Sequence, residues 1–64
     1  MNSIQTIRKN LGISQYDIAN ELGIDRSTVA KWETGKALPR AEVLVKLAAV
    51  LHCTVDEILR GAKQ

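Results

Sequence analysis

Arg26, Ser27, Thr28 and Lys31 stand close together in GIDRSTVAKWETG, Gly23 to Gly35. A guanidinium, two hydroxyls and an ammonium at this spacing suit a surface rich in hydrogen-bond acceptors or negative charge. Lys36 and Arg40 follow them, while Asp25 and Glu33 lie within the same run, so the segment holds the basic bias of the chain without being uniformly basic. The acidic Asp56 and Glu57 sit near the far end. Groups suited to covalent or metal chemistry are not assembled in this way. His52 and Cys53 are adjacent, point in different directions and have no third group to orient them, so a catalytic pair is not expected. A metal or redox site would need partners such as C-x-x-C, and a phosphate loop would need a glycine pattern that the chain lacks. The expectation is no catalytic residue, no metal, no cofactor and no small-molecule ligand.

These side chains must be positioned by a small scaffold. A chain of 64 residues forms one domain, residues 1–64, and buries only about 60% of the surface that its unfolded form exposes. With 45% hydrophobic and 25% charged residues, it has the composition of an ordinary folded domain. Its only aromatic residues are Tyr16 and Trp32, which offers no platform of rings for stacking single-stranded bases. The net charge of +2 mildly favours a polyanionic partner. One cysteine forms no internal disulfide and MNSIQTIRKN contains no apolar signal core, so a cytoplasmic setting is expected. VLVKLAAVL is interrupted by Lys46 and falls far short of the roughly 20 residues of a membrane span.

Glycines and capping residues mark out the elements. Gly12, Gly23, Gly35 and Gly61 each follow a run with helical apolar spacing and read as stops. Asn2 with Gln5, Ser14 with Asp17, and Thr54 with Glu57 have the spacing of reciprocal caps, and Asp25 can cap the segment between the second and third glycines. Ile13 with Ile18, Ile24 with Val29 and Cys53 with Ile58 are spaced as hydrophobic staples. The predicted helices are Ser3 to Leu11, Gln15 to Leu22, Arg26 to Thr34, Ala41 to Leu51 and Val55 to Arg60, an all-α fold. The predicted core combines Ile4, Ile7 and Leu11; Ile18, Ala19 and Leu22; Val29 and Trp32; Leu44, Leu47, Ala48 and Leu51; and Ile58 and Leu59. Pro39 opens the longest connection, between the third and fourth helices.

Only Gly23, Ile24 and Asp25 separate the second helix from the third, which requires a tight turn at a large angle, the helix-turn-helix spacing over about residues 14–34. At about 100° per residue, Asp25, Val29 and Trp32 share one side of the third helix. Ser27, Ala30, Lys31 and Thr34 lie opposite, with Arg26 and Thr28 on the flanks. Trp32 therefore anchors the helix to the core. The outer face offers short or basic groups of the kind that read base edges in the major groove of double-stranded DNA. Tyr16 fits two readings, packing at the rim of the core or giving its hydroxyl to a phosphate.

Through SQYDIANELGIDRSTVAKWETGKALPRAEVLVKLAAVLHCTVDEIL the chain resembles the Cro/cI-like, Xre-type helix-turn-helix repressors. The resemblance rests on the Gln at the start of helix two, the Ile-Ala pair, the turn glycine, Trp-Glu-x-Gly and the following proline. It implies a compact five-helix bundle of the lambda-repressor-like type. It also implies that Gln15 and nearby backbone amides hold phosphate, that Arg26, Ser27, Thr28 and Lys31 face bases, and that Lys36 and Arg40 touch the backbone. Arg8 is expected to pair with Glu33 as a half-enclosed tie between helices one and three. The implied function is a sequence-specific transcriptional regulator, a repressor on a palindromic operator, acting as a homodimer that is weak in solution and joined through Val55 to Gln64. The alternative is an antitoxin or other protein-interaction module on the same scaffold. An outer face without Leu, Met or aromatic anchors favours DNA.

Overall fold

In the computed structural model, which describes residues 3–62, five helices follow one another: α1 (Ser3–Leu11), α2 (Gln15–Leu22), α3 (Arg26–Glu33), α4 (Ala41–Val50) and α5 (Val55–Ala62). No strand occurs among the described residues. The first two helices have the expected bounds. Helices α3 and α4 end one residue early, with Thr34 and Leu51 as their C-caps. Helix α5 runs through Gly61 instead of stopping before it. A glycine inside a helix costs only about 1 kcal/mol relative to alanine, so it permits a stop without imposing one. The Asn2 cap falls on a residue outside those described.

Three of the connections are built alike: Gly12-Ile13-Ser14, Gly23-Ile24-Asp25 and His52-Cys53-Thr54. The first residue of each turns left-handed, at φ 71°, 67° and 54°. The amide of the second residue bonds back to the carbonyl five positions earlier, Ile13 to Arg8, Ile24 to Ala19 and Cys53 to Ala48, which closes the outgoing helix. That second residue then packs against the core, and the third stands immediately before the helix that follows. The caps at Ser14 and Thr54 are reciprocal, with Asp17 and Glu57 bonding back to the cap amides. Asp25 departs from the expectation. It occupies the N-cap position without a side-chain cap bond, and its carbonyl accepts the Thr28 amide instead. His52 is also a departure, since the chain supplies no glycine to end α4 and a histidine takes the strained conformation.

The core draws on every helix: Ile4, Ile18, Ala19, Val29, Trp32, Leu44, Leu47, Ala48, Leu51 and Ile58 are buried. Helix α2 packs on α3 and α4, while α1 packs on α5 and α3. Leu11 and Leu59, predicted as core, are 42% and 41% exposed. Leu11 is the last residue of α1, where no further turn covers it, and Leu59 sits about 100° round the helix from the buried Ile58. Ile7 and Leu22 are partly buried against the core.

Candidate nucleic-acid interface

Two buried side chains, Val29 and Trp32, fix the rotation of α3 about its own axis. The opposite side is turned to solvent, with Arg26, Ser27, Lys31 and Thr34 exposed and Ala30 half-buried between them. Apolar burial thus sets which donors face outward. The Thr34 hydroxyl donates to the Ala30 and Lys31 carbonyls of its own helix. Ser27 and Lys31 make no side-chain hydrogen bond among the described residues and remain available to an external acceptor.

Behind this face lies a chain of polar contacts. The Arg8 guanidinium grips the Glu33 carboxylate with Nε at 2.6 Å and Nη2 at 3.1 Å, and donates Nη1 to the Ile13 carbonyl at 3.0 Å. The side chains of Arg8 and Glu33 are 11% and 2% exposed, so the pair is more enclosed than the expected half-buried tie. Gln15 donates Nε2 to Glu33 Oε1 at 2.9 Å and accepts Arg26 Nη1 on its own Oε1 at 2.9 Å. The Arg26 guanidinium lies 5.4 Å from the centre of the Tyr16 ring, within cation–π range. Burial by itself would raise the Glu33 pKa. The hydrogen bonds from Arg8 and Gln15, with the charges of Arg8 and Lys9, outweigh it and hold the carboxyl below its ordinary value.

The other predicted contact residues occupy distinct positions. Tyr16 is exposed beside Arg26 and takes no part in the core. Thr28 is half-buried and lines a groove of about 280 Å³ with Ile24, Trp32, Leu38, Arg40 and Val43. Lys36 and Arg40 are exposed in the connection after α3. Gln15, Tyr16 and Arg26 therefore meet at one end of the α3 face, with Lys36 and Arg40 in the loop that leaves its other end. Gln15 and Arg26, both expected to face an external ligand, also bond to each other across 11 positions, a contact that the sequence pattern does not show. No periodicity encodes that pairing. Cys53 is partly buried, and burial followed by the charge of Glu57 pushes its thiol pKa up, away from a reactive thiolate. Among the described residues no cluster of His, Cys, Asp and Glu could hold a metal ion, and no helix is long and apolar enough to cross a membrane.

Comparison with known proteins gives this geometry its context. The family described as Helix-turn-helix matches residues 4–58. The transcriptional activator BcrR of Enterococcus faecalis is 33% identical over 58 residues, covering 91% of this chain and 28% of that protein. The cryptic phage CTXphi transcriptional repressor RstR of Vibrio cholerae is 39% identical over 51 residues, covering 80% and 46%. The chain thus spans between about a quarter and a half of the length of these relatives. The crystal structure of the P22 c2 repressor in complex with the synthetic operator 9T superposes with a TM-score of 0.85 at 31% identity, covering 91% of this chain and 88% of that one. With the family pattern spanning both the turn and the core that rotates α3 outward, this chain belongs to the Cro/cI-like, Xre-type helix-turn-helix family.

Proposed function

We propose that this domain binds double-stranded DNA at specific sequences and represses transcription by occupying a palindromic operator. The observation that carries the reading is the outward face of α3, with Arg26, Ser27 and Lys31 exposed above a buried Val29 and Trp32. A structural relative of the same fold is a repressor crystallised with a synthetic operator. Arg26 and Lys31 would reach acceptors such as guanine N7 and O6, with Ser27 beside them and Thr28 contributing from the flank. Gln15 and Tyr16, at the start of α2, would take phosphate together with the amides of that helix end, and Lys36 and Arg40 would do so after α3. One short helix reads few base pairs, so two protomers on half-sites about 34 Å apart supply the discrimination. Dimerisation free in solution is weak. A DNA-regulating role places the protein in the cytoplasm and calls for no catalytic residue.

The test begins with selection of bound sequences from a random duplex pool. Affinity for the selected site and its single-base variants is then measured across a salt series. Arg26→Ala is expected to relax the preference at one or two base positions. Lys36→Ala is expected to weaken all sequences alike and to reduce the salt dependence by about one counterion of slope. A uniform loss from Arg26→Ala, or an altered base preference from Lys36→Ala, would overturn the assignment of α3 to bases and of the following loop to phosphate.

A further inference from the structure

The outward face of α3 has no apolar anchor, but the groove of about 280 Å³ on its flank is lined almost wholly by apolar groups. Its floor is the buried Trp32 with the partly buried Ile24 and Val43, and its outer edge is Leu38 and Arg40. Leu38 is 74% exposed, more than any other large apolar side chain among the described residues. A lone exposed leucine is ordinary; one at the rim of an apolar groove extends it into a contiguous surface. Pro39 stands between the two edge residues and fixes its own backbone angle, so the rim is formed before anything binds. Arg40 is the one charged residue of the lining, and Lys36 stands exposed immediately before Ala37, which also lines it. Neither cation is in an ion pair among the described residues. Asp25 and Glu42 neighbour lining residues in the chain without joining the lining, and Glu33 is turned inward to Arg8.

From this combination we infer that the groove is a docking site for an acidic segment of a partner protein, and that this partner and DNA exclude one another. One large apolar side chain fills the groove, and neighbouring carboxylates pair with Arg40 and Lys36, as when an amphipathic helix lies in a groove. The exclusion, though not the docking, rests on the reading of Lys36 and Arg40 as phosphate contacts. Other occupants fit less well. A second copy of the chain, meeting this patch about a two-fold axis, would set the same cations against each other. A small molecule would be left largely uncovered, because pockets enclose most of their ligand and here Leu38 and Arg40 stand in solvent. An acidic segment satisfies the apolar floor and the cationic edge together.

The probe is a pool of short random peptides, displayed on phage and selected on the whole immobilised chain. Peptides with a large apolar residue flanked by Asp or Glu are expected to be enriched. The best of them, made synthetically, is expected to shift the amide resonances of Thr28, Ala37 and Val43 and to displace the selected duplex. Leu38→Ala removes an exposed side chain that cannot bond phosphate. It is expected to weaken the peptide about 5- to 10-fold, the scale of an interface anchor, and to leave duplex affinity unchanged. Arg40→Ala is expected to weaken both. Replacing the acids of the peptide by their amides is expected to weaken it and to flatten its salt dependence. No enrichment, a peptide that binds Leu38→Ala as tightly as wild type, or a neutral peptide that binds as tightly as the acidic one would overturn the docking. Peptide and duplex held together on one chain would overturn the exclusion. If no duplex is selected while the peptide binds with the stated pattern, the docking stands and the reading of DNA falls. A chain that sediments as a dimer and becomes monomeric in Leu38→Ala would assign the groove to a second copy and overturn the inference.

Discussion

Replacing Glu33 by glutamine changes one oxygen to nitrogen in a nearly enclosed site, and its cost can be worked from the contacts. The carboxylate accepts bonds at 2.6 and 3.1 Å from Arg8 and at 2.9 Å from Gln15. The amide keeps a single acceptor and turns a donor toward another donor. Loss of one charged hydrogen bond accounts for about 1.5–3 kcal/mol. Breaking a buried pair from one side costs about 3–5 kcal/mol, because the remaining charge is uncompensated. Arg8 retains its bond to the Ile13 carbonyl and some contact with water, which puts the expected loss where the two ranges meet, at about 3 kcal/mol. At roughly 4–8 °C per kcal/mol for a domain of this size, the melting temperature drops by roughly 12–24 °C. Urea unfolding at neutral pH, followed by circular dichroism, measures it directly. A companion variant, Arg8→Met with Glu33→Leu, removes both charges and should recover much of the loss. A Glu33→Gln protein within about 1 kcal/mol of wild type would refute the reasoning, since neither range reaches so low.

Other consequences can be checked with the same unfolding assay. The folded pKa of Glu33 is depressed, so its contribution is present above the ordinary value of 4.5 and is lost as pH falls through the lower folded value; acid should erode wild-type stability more steeply than that of Glu33→Gln, and parallel acid profiles would contradict this. His52→Gly relieves a left-handed conformation at φ 54° and should stabilise by about 0.5–1 kcal/mol after the added freedom of the unfolded chain is subtracted; a lower melting temperature would show that the histidine side chain contributes more than its backbone costs. Ser14→Ala removes a formed cap bond and should cost about 1 kcal/mol. Asp25→Ala removes a side chain that makes no such bond and should cost far less; equal losses would deny the distinction.

Local chemistry made the scaffold readable. Ser14 with Asp17, and Thr54 with Glu57, announce helix starts through bonds confined to four consecutive residues, and Gly12 and Gly23 announce stops through a conformation that other residues resist. The same logic fails where the local signal is permissive. Gly61 tolerates a helix as well as ending one, and no glycine marks position 52, where the chain turns left-handed regardless. Of the candidate interface, the rotation of α3 was legible from the spacing of Val29 and Trp32. The pairing of Gln15 with both Glu33 and Arg26 was not, because it joins the start of α2 to both ends of α3 and depends on the sense of one amide. The Arg8–Glu33 tie was reached through family likeness, and the degree of its enclosure emerged only once α1 and α3 were packed together.

The Ser3 hydroxyl donates to the Ile58 carbonyl at 2.8 Å and to that of Glu57 at 3.1 Å, joining the first helix to the last. During translation this contact has a timing. Of the five helices α1 leaves the ribosome before the others, yet its partners are α3 and α5, and a helix of 9 residues is too short to persist alone in water. Until residue 58 emerges, Ile4 has only part of its burial, and the polar tie to Ile58 is missing. Arg8 can meet Glu33 earlier, as soon as α3 is free to dock. Arrested nascent chains of increasing length should therefore gain resistance to protease in a late step rather than helix by helix, with the earliest-made of the five helices among the last to become secure.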